Sequence, residues 1–150
     1  MSLLKKDIVE ELTLILKKKI EALTNSIFDA KESQANDTKS SAGDKFETGR
    51  EMIQIEITKQ ESQRSATQKL LIDLQRINLE KVCSKAEFGS LVETDKNTFF
   101  LSVPYGHISV KNCNILAISL ASPFGKELHN KKVGDSFSFQ NNTHKIISIL

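Results

Sequence analysis

The sequence has 150 residues, of which 39% are hydrophobic and 27% charged, a composition typical of one globular domain or two small ones. Its formal charge of +2 is too small for a protein that coats nucleic acid, because such binding depends on neutralising many phosphates. Charged residues interrupt every apolar run of the first twenty residues, so neither a signal peptide nor a membrane span is expected there. These features predict a cytoplasmic protein.

The first predicted element is a long amphipathic helix over about residues 4–30. Its apolar residues recur at steps of three to five, with lysine and glutamate between them. They are Leu4, Ile8, Leu12, Ile15, Leu16, Ile20, Leu23 and Ile27. At ~1.5 Å per residue this helix is roughly 40 Å long, more than a globule of this size needs for its own core. A projecting element is therefore expected.

A polar stretch over residues 31–49 ends this helix, and a second helical pattern runs from Phe46–Arg50 to about Ile77. Its apolar face is predicted to contain Met52, Ile55, Ala66, Leu70, Leu74 and Ile77. Two helices of similar length joined by a polar loop are expected to pair antiparallel as a coiled-coil hairpin. Residues 58–68 are markedly polar, which predicts a weak seam there.

After Ile77 the apolar period changes to two, which indicates strands. The predicted strands cover residues 99–103, 107–110, 115–119, 136–139 and 145–150. Between the third and fourth of these strands, Ser122 can cap a short helix whose first turn contains Pro123. The fold class is therefore α+β, with a hairpin domain over residues 1–78 and a small antiparallel sheet domain over 79–150.

Neither the cysteines nor the histidines predict chemistry of the protein's own. Cys83 and Cys113 lack C-x-x-C spacing and are expected to be free, mostly packing residues. The three histidines are widely spaced, without a pattern of zinc ligands. Ser122 has no G-x-S-x-G context, so capping is favoured over a nucleophilic role.

Several short motifs of the C-terminal half follow one another in a characteristic order. They are Gly89-Ser90-Leu91-Val92, Phe100-Leu101-Ser102-Val103, Ile118-Ser119, Ser122-Pro123-Phe124-Gly125 and Lys131-Lys132-Val133-Gly134-Asp135. In this order the chain resembles the Gre-type transcription elongation factors of bacteria, and the resemblance covers nearly the whole chain once the hairpin is included. It implies an FKBP-like sheet domain behind a coiled-coil hairpin.

The resemblance also implies a function. In that family the hairpin enters the secondary channel of RNA polymerase, and the sheet domain holds the channel rim. Acids at the hairpin tip help the polymerase's own active site, with its Mg²⁺, to cleave backtracked RNA. The chain would then be no enzyme and need no cofactor of its own. It would be a monomer that meets nucleic acid only within the polymerase complex.

At the tip, Asp37 matches the first acid of the family pattern and Phe46 its aromatic residue, whereas Ser40 and Ser41 stand in place of a glutamate and an asparagine. An insertion of about two residues would let Asp44, or else Glu47, serve as the second acid. Within the polymerase complex, Asp37 and Asp44 would contact the metal. The alternative is that both aspartates only terminate and cap helices.

The resemblance assigns polymerase binding to the exposed turn Ser122-Pro123-Phe124-Gly125, together with Phe46 at the tip. The alternative is a turn that packs Phe124 inward. Three other functions stay open. They are a Gre-like regulator that occupies the channel without stimulating cleavage, an FKBP-like prolyl isomerase and a coiled-coil chaperone. The isomerase rests on fold analogy, which does not establish activity, and a chaperone would need an apolar tip.

Overall fold

The chain forms three helices and six strands in a computed structural model that describes residues 2–37 and 44–150, with side chains over 4–36 and 48–150. The helices are α1 (Ser2–Asp37), α2 (Asp44–Gln75) and α3 (Pro123–Leu128). The strands are β1 (Leu91–Thr94), β2 (Thr98–Leu101), β3 (Gly106–Val110), β4 (Cys113–Ile118), β5 (Ser136–Phe139) and β6 (Asn142–Ile149). This arrangement confirms the predicted α+β class.

The contacts divide the chain into two units, and the division runs through both long helices. One unit is Thr13–Ile72, and the other joins Met1–Leu12 to Asp73–Leu150. The first turns of α1 and the end of α2 therefore belong with the sheet, where Ile8, Leu12 and Leu74 are fully buried. The boundary predicted between residues 78 and 79 marks where the spacing of apolar residues changes. The two units are instead defined by which residues contact one another.

Within the first unit, α1 and α2 pair antiparallel, as predicted. The Gln34 amide donates a hydrogen bond to the Gln54 side-chain oxygen at 3.2 Å. Ten residues earlier on α1, the Thr24 hydroxyl accepts a bond of 3.4 Å from Arg64, which lies ten residues later on α2. The two cross-links are thus in one antiparallel register.

The predicted apolar stripe of α1 is confirmed, because all eight of its residues are buried or half-buried. The predicted face of α2 was wrong at Met52 and Ile55, which are 66% and 68% exposed, and at Ala66, which is also exposed. It was right at Leu70 and Leu74, which are half-buried and buried. Among the buried and half-buried residues of α2, seven recur at alternating steps of four and three, as a coiled-coil seam requires. They are Ile53, Ile57, Gln60, Arg64, Thr67, Leu71 and Leu74.

The six strands form one sheet in the order β3-β4-β2-β1-β6-β5. All neighbouring pairs are antiparallel except β2 and β4, which run parallel. The five predicted strands are present, but β1, which lies near the middle of the sheet, was not predicted as a strand. One face of the sheet holds the core beneath α3. This core comprises Ala86, Val92, Phe99, Leu101, Leu128, Phe137 and Ile146.

Candidate functional sites: the hairpin tip and the Ser-Pro-Phe-Gly turn

The hairpin tip is bounded by the two helix ends. Helix α1 ends at Asp37 and α2 begins at Asp44, and the antiparallel pairing brings these ends to the same end of the unit. The side chains of Asp37, Asp44, Phe46 and Glu47 lie outside the described residues, as do Ser40 and Ser41. The predicted roles of the tip acids in catalysis and metal contact, and of Phe46 in binding, therefore stay predictions.

The stem next to the tip is held by polar contacts. Besides its bond to Gln54, the Gln34 amide donates to the backbone carbonyl of Arg50 at 3.3 Å. Lys31 forms an ion pair with Glu61 at 3.3 Å, with both side chains well exposed. An exposed pair of this kind contributes about 0–1 kcal/mol, so the stem depends mainly on its seam.

The second candidate site, the turn at Ser122, is a helix start as predicted. The Ser122 hydroxyl accepts a hydrogen bond of 3.0 Å from the Gly125 amide and donates one of 2.6 Å to the Ser119 carbonyl. Ser122 has an extended backbone, and Pro123 occupies the first helical turn, where its missing N–H costs nothing. The capping alternative for Ser122 is thereby confirmed.

Gly125 is required by space rather than by backbone angle. A Cβ atom at this position would lie 2.1 Å from the Ser119 carbonyl oxygen and 2.9 Å from the Leu120 Cα. The backbone of the preceding turn therefore closes against residue 125, and any side chain would force the two apart. The motif is a tight turn in which Ser122 is fixed by its hydrogen bonds and Gly125 by lack of space for a side chain.

Phe124 packs inward against aromatic neighbours, which confirms the alternative for this residue. Its ring centroid lies 4.5 Å from Phe99, 5.1 Å from Phe139 and 5.3 Å from His144. Pro123 is exposed, whereas Phe124 is half-buried. Of the four residues of this turn that were predicted to contact a partner, Pro123 is thus the most accessible. The binding role of the turn stays a prediction.

His144 is part of the same aromatic cluster, a place that was not predicted from the sequence. It is 6% exposed, and its ring stacks on Phe137 at 5.2 Å. Burial lowers the pKa of His144, and the charge of Lys96 lowers it further against an opposing effect of Asp95. Its Nδ1 atom has no hydrogen-bond partner among the described residues. His144 and Ile146 are two residues apart on β6, so they lie on the same face of the strand. This spacing is the feature of the sequence from which the burial of His144 could have been predicted.

Both cysteines are free, as predicted, but only Cys83 is a packing residue. Burial raises the pKa of the Cys83 thiol, which disfavours a reactive thiolate. Cys113 is exposed at the start of β4, so the expectation that it packs was wrong. Its position directly after the tight turn at Lys111 and Asn112, both with positive φ, explains the exposure.

Neither protein-family models nor curated proteins contain a match to this chain. Within residues 2–37 and 44–150, no group of three or more histidine, cysteine, aspartate or glutamate side chains is placed to hold a metal ion. None of the described helices has a stretch long and apolar enough to cross a membrane.

Proposed function

We propose that this protein is an accessory factor of bacterial RNA polymerase of the Gre type. Its hairpin would enter the secondary channel, and acids at the tip would stimulate cleavage of backtracked RNA by the polymerase. The observation that carries the proposal is the antiparallel helix pair whose ends are Asp37 and Asp44, combined with a sheet unit that holds the motifs of the resemblance. The protein would then be a cytoplasmic monomer that reaches RNA and DNA only through the polymerase.

The dimensions of the hairpin suit this task. Residues 13–37 of α1 alone span about 37 Å at ~1.5 Å per residue. A pair of helices of that length can carry a carboxylate into a channel too narrow for a folded domain. The outer surface of the described part of the stem combines many charged and polar side chains with exposed apolar ones, among them Phe28, Met52 and Ile55, which would be available for contact with the channel wall.

The chemistry would belong to the polymerase. Hydrolysis of a phosphodiester by two metal ions needs a second Mg²⁺ and an oriented water molecule. Asp37 and Asp44 would supply hard oxygen ligands that help to retain a weakly held Mg²⁺, a metal that is typically bound through one or two carboxylates. Glu47 is the alternative second acid. Pro123, exposed at the Ser-Pro-Phe-Gly turn, is the residue of that turn best placed to touch the channel rim.

A second function is favoured by Ser40 and Ser41. They stand where the family pattern has a glutamate and an asparagine, so the tip has fewer of the usual polar ligands. A factor with this tip would occupy the channel and regulate the polymerase without stimulating cleavage.

The two functions are separated by measuring cleavage of nascent RNA in backtracked elongation complexes. The variants are Asp37→Asn, Asp44→Asn and Glu47→Gln. The matched control is Asp29→Asn, which replaces an exposed acid of α1 farther from the tip than Asp37. If the protein is a cleavage factor, replacing an essential tip acid should lower stimulation by on the order of 10²-fold, the scale of removing one transition-state-stabilising group from an active site. Asp29→Asn should keep wild-type stimulation.

Binding of each variant to the polymerase is measured in parallel. If the wild type binds the polymerase but does not stimulate cleavage, the protein is a channel regulator and not a cleavage factor. No binding of the wild type to the polymerase would overturn the whole proposal.

A further inference from the structure

The sheet has a second face, opposite to the core beneath α3, and this face is not fully covered. Glu93 on β1 pairs with Thr98 on β2 and with Ser148 on β6, so the three side chains lie on one face. Leu91 lies two residues before Glu93 along β1 and shares that face. On β1 this face therefore combines an aliphatic side chain with a carboxylate.

A cavity of about 170 Å³ lies on this face, and we call it the β-face pocket. Four aliphatic side chains line it, from α1, β1, β4 and the residue after β6, together with four polar ones. The lining residues are Leu4, Leu91, Ile115, Leu150, Glu93, Thr98, Ser148 and Cys113. All belong to the unit formed by Met1–Leu12 and Asp73–Leu150.

The size of the pocket decides what class of molecule can enter it. In another protein, an engineered apolar cavity of about 150 Å³ binds benzene. The β-face pocket is therefore large enough for one six-membered ring or a branched alkyl group of similar volume, and too small for a nucleotide or a drug-sized ligand, whose pockets measure about 300–1,000 Å³.

The charge beside the pocket decides which head group is favoured. The Ser148 hydroxyl donates a hydrogen bond of 3.1 Å to Glu93 Oε2, which orients the carboxylate at the pocket. No lysine or arginine of the described residues forms an ion pair with Glu93. A free carboxylate next to aliphatic side chains favours a ligand with an apolar body and a cationic head, because a hydrogen bond to a charged acceptor is roughly twice as strong as a neutral one.

We infer that the β-face pocket binds a small hydrophobic amine, with a body of about six carbons among the leucines and an ammonium group on Glu93. This site is separate from the tip acids and from the Ser-Pro-Phe-Gly turn. It does not depend on the proposed function in transcription.

The probes are benzylamine, benzyl alcohol and benzoate, which share one ring and differ in charge. Binding to the full chain is followed by amide chemical shifts and by the rate at which iodoacetamide alkylates Cys113. This thiol lines the pocket and is exposed, whereas Cys83 is buried, so the two cysteines report separately. Benzylamine should slow alkylation of Cys113 and shift amides of β1, β4 and β6, benzyl alcohol should bind about tenfold more weakly, and benzoate should not bind.

The decisive variant is Glu93→Gln, which keeps the shape of the pocket and removes the charge. It should reduce the preference for benzylamine over benzyl alcohol to about one, while the control Glu127→Gln, an exposed acid on α3, keeps the wild-type ratio. Ile115→Phe should fill the pocket and abolish protection of Cys113 by either probe. An unchanged preference in Glu93→Gln, or no protection by benzylamine at millimolar concentration, would overturn the inference.

Discussion

At the scale of single residues, two glycines of helices α2 and α3 have opposite surroundings. A Cβ atom on Gly125 would collide with the backbone of Ser119, whereas one on Gly49 would meet nothing within 4 Å. Neither glycine needs a positive φ. The same substitution is therefore a test of space at one position and of helix propensity at the other.

We expect Gly125→Ala to destabilise the protein by about 1–3 kcal/mol, because the turn must open to admit a methyl group. Gly49→Ala should stabilise it by up to about 1 kcal/mol, because alanine loses less backbone entropy in a helix. Urea unfolding of both variants measures the difference. Equal effects of the two substitutions would show that the close approach at Ser119 does not constrain the turn.

His144 predicts a pH dependence of stability. Its pKa in the folded protein lies below the value of about 6.5 that it has when unfolded. At a pH well above about 6.5, His144 is neutral in both the folded and the unfolded protein. As the pH falls below about 6.5, the unfolded chain binds a proton at His144 before the folded protein does. Stability should therefore fall as the pH drops below about 6.5, towards the lower folded pKa.

The measurement is urea unfolding between pH 8 and pH 5 for wild type and His144→Phe. The phenylalanine variant should lose less stability over this range, because its ring packs in the aromatic cluster without a buried nitrogen. His107→Phe is the control, because His107 is exposed on β3. If stability depends on pH in the same way in wild type and in His144→Phe, His144 is not the group that causes the dependence.

At the scale of elements, the seam of the hairpin is polar in its middle. Thr67 is 2% exposed, and its hydroxyl donates to the Gln63 carbonyl at 2.8 Å, within its own helix. The Oε1 atom of Gln60 is buried without a hydrogen-bond partner among the described residues. These side chains are on seam positions of α2, facing a helix whose own stripe is apolar. The weak seam predicted over residues 58–68 thus has a structural cause.

Gln60→Leu should stabilise the protein by about 1–2 kcal/mol, because it removes an unsatisfied buried oxygen and adds apolar contact. Gln63→Leu, on the exposed side of the same helix, should change stability by no more than about 0.5 kcal/mol. Thermal and urea unfolding of the two variants are compared with wild type. Destabilisation by Gln60→Leu would mean that the glutamine is paired in solution.

Local patterns of apolar residues were sufficient to predict the helices, the capped turn and five strands. They were not sufficient for β1, whose four residues contain only Leu91 and Val92 as apolar members, nor for the face of α2, where Met52 and Ile55 are apolar but lie off the seam. The parallel pairing of β2 with β4 also has no local sequence pattern.

The candidate sites divide in the same way. The tip acids and the Ser-Pro-Phe-Gly turn were found by resemblance, because each is contiguous in sequence. The aromatic cluster around His144 and the β-face pocket depend on residues far apart in the chain, whereas the close approach at Gly125 involves the nearby Ser119 and Leu120 but has no pattern of residue types that reveals it. The pocket is lined by both Leu4 and Leu150, and no local sequence pattern connects residues so far apart.

At the scale of the whole molecule, burial is unequal between the two units. The sheet unit contains most of the buried apolar side chains. In the hairpin unit, the buried side chains among the described residues are Leu16, Ile27, Ile57 and Thr67. Local opening is cheapest where few apolar contacts are lost, so the hairpin unit should open more readily than the sheet.

Hydrogen exchange followed by mass spectrometry checks this difference. Amides of β1, β2, β4 and β6 should exchange slowest, and those of residues 58–68 should exchange clearly faster. In Gln60→Leu, exchange should slow in the hairpin peptides and stay unchanged in the sheet. Uniform protection along the chain would contradict an unequal distribution of stability.

The position of β6 has a consequence for synthesis on the ribosome. Val92 pairs with Ile149, and the Lys5 ammonium donates to the carbonyl of Leu150 at 3.2 Å. Residues that are 145 positions apart in the sequence therefore meet in one unit. While residues 142–150 are still inside the exit tunnel, β1 lacks one neighbour and the face that α1 will cover stays open. The sheet can close only after these residues have left the tunnel, so β1 stays incompletely paired during that interval.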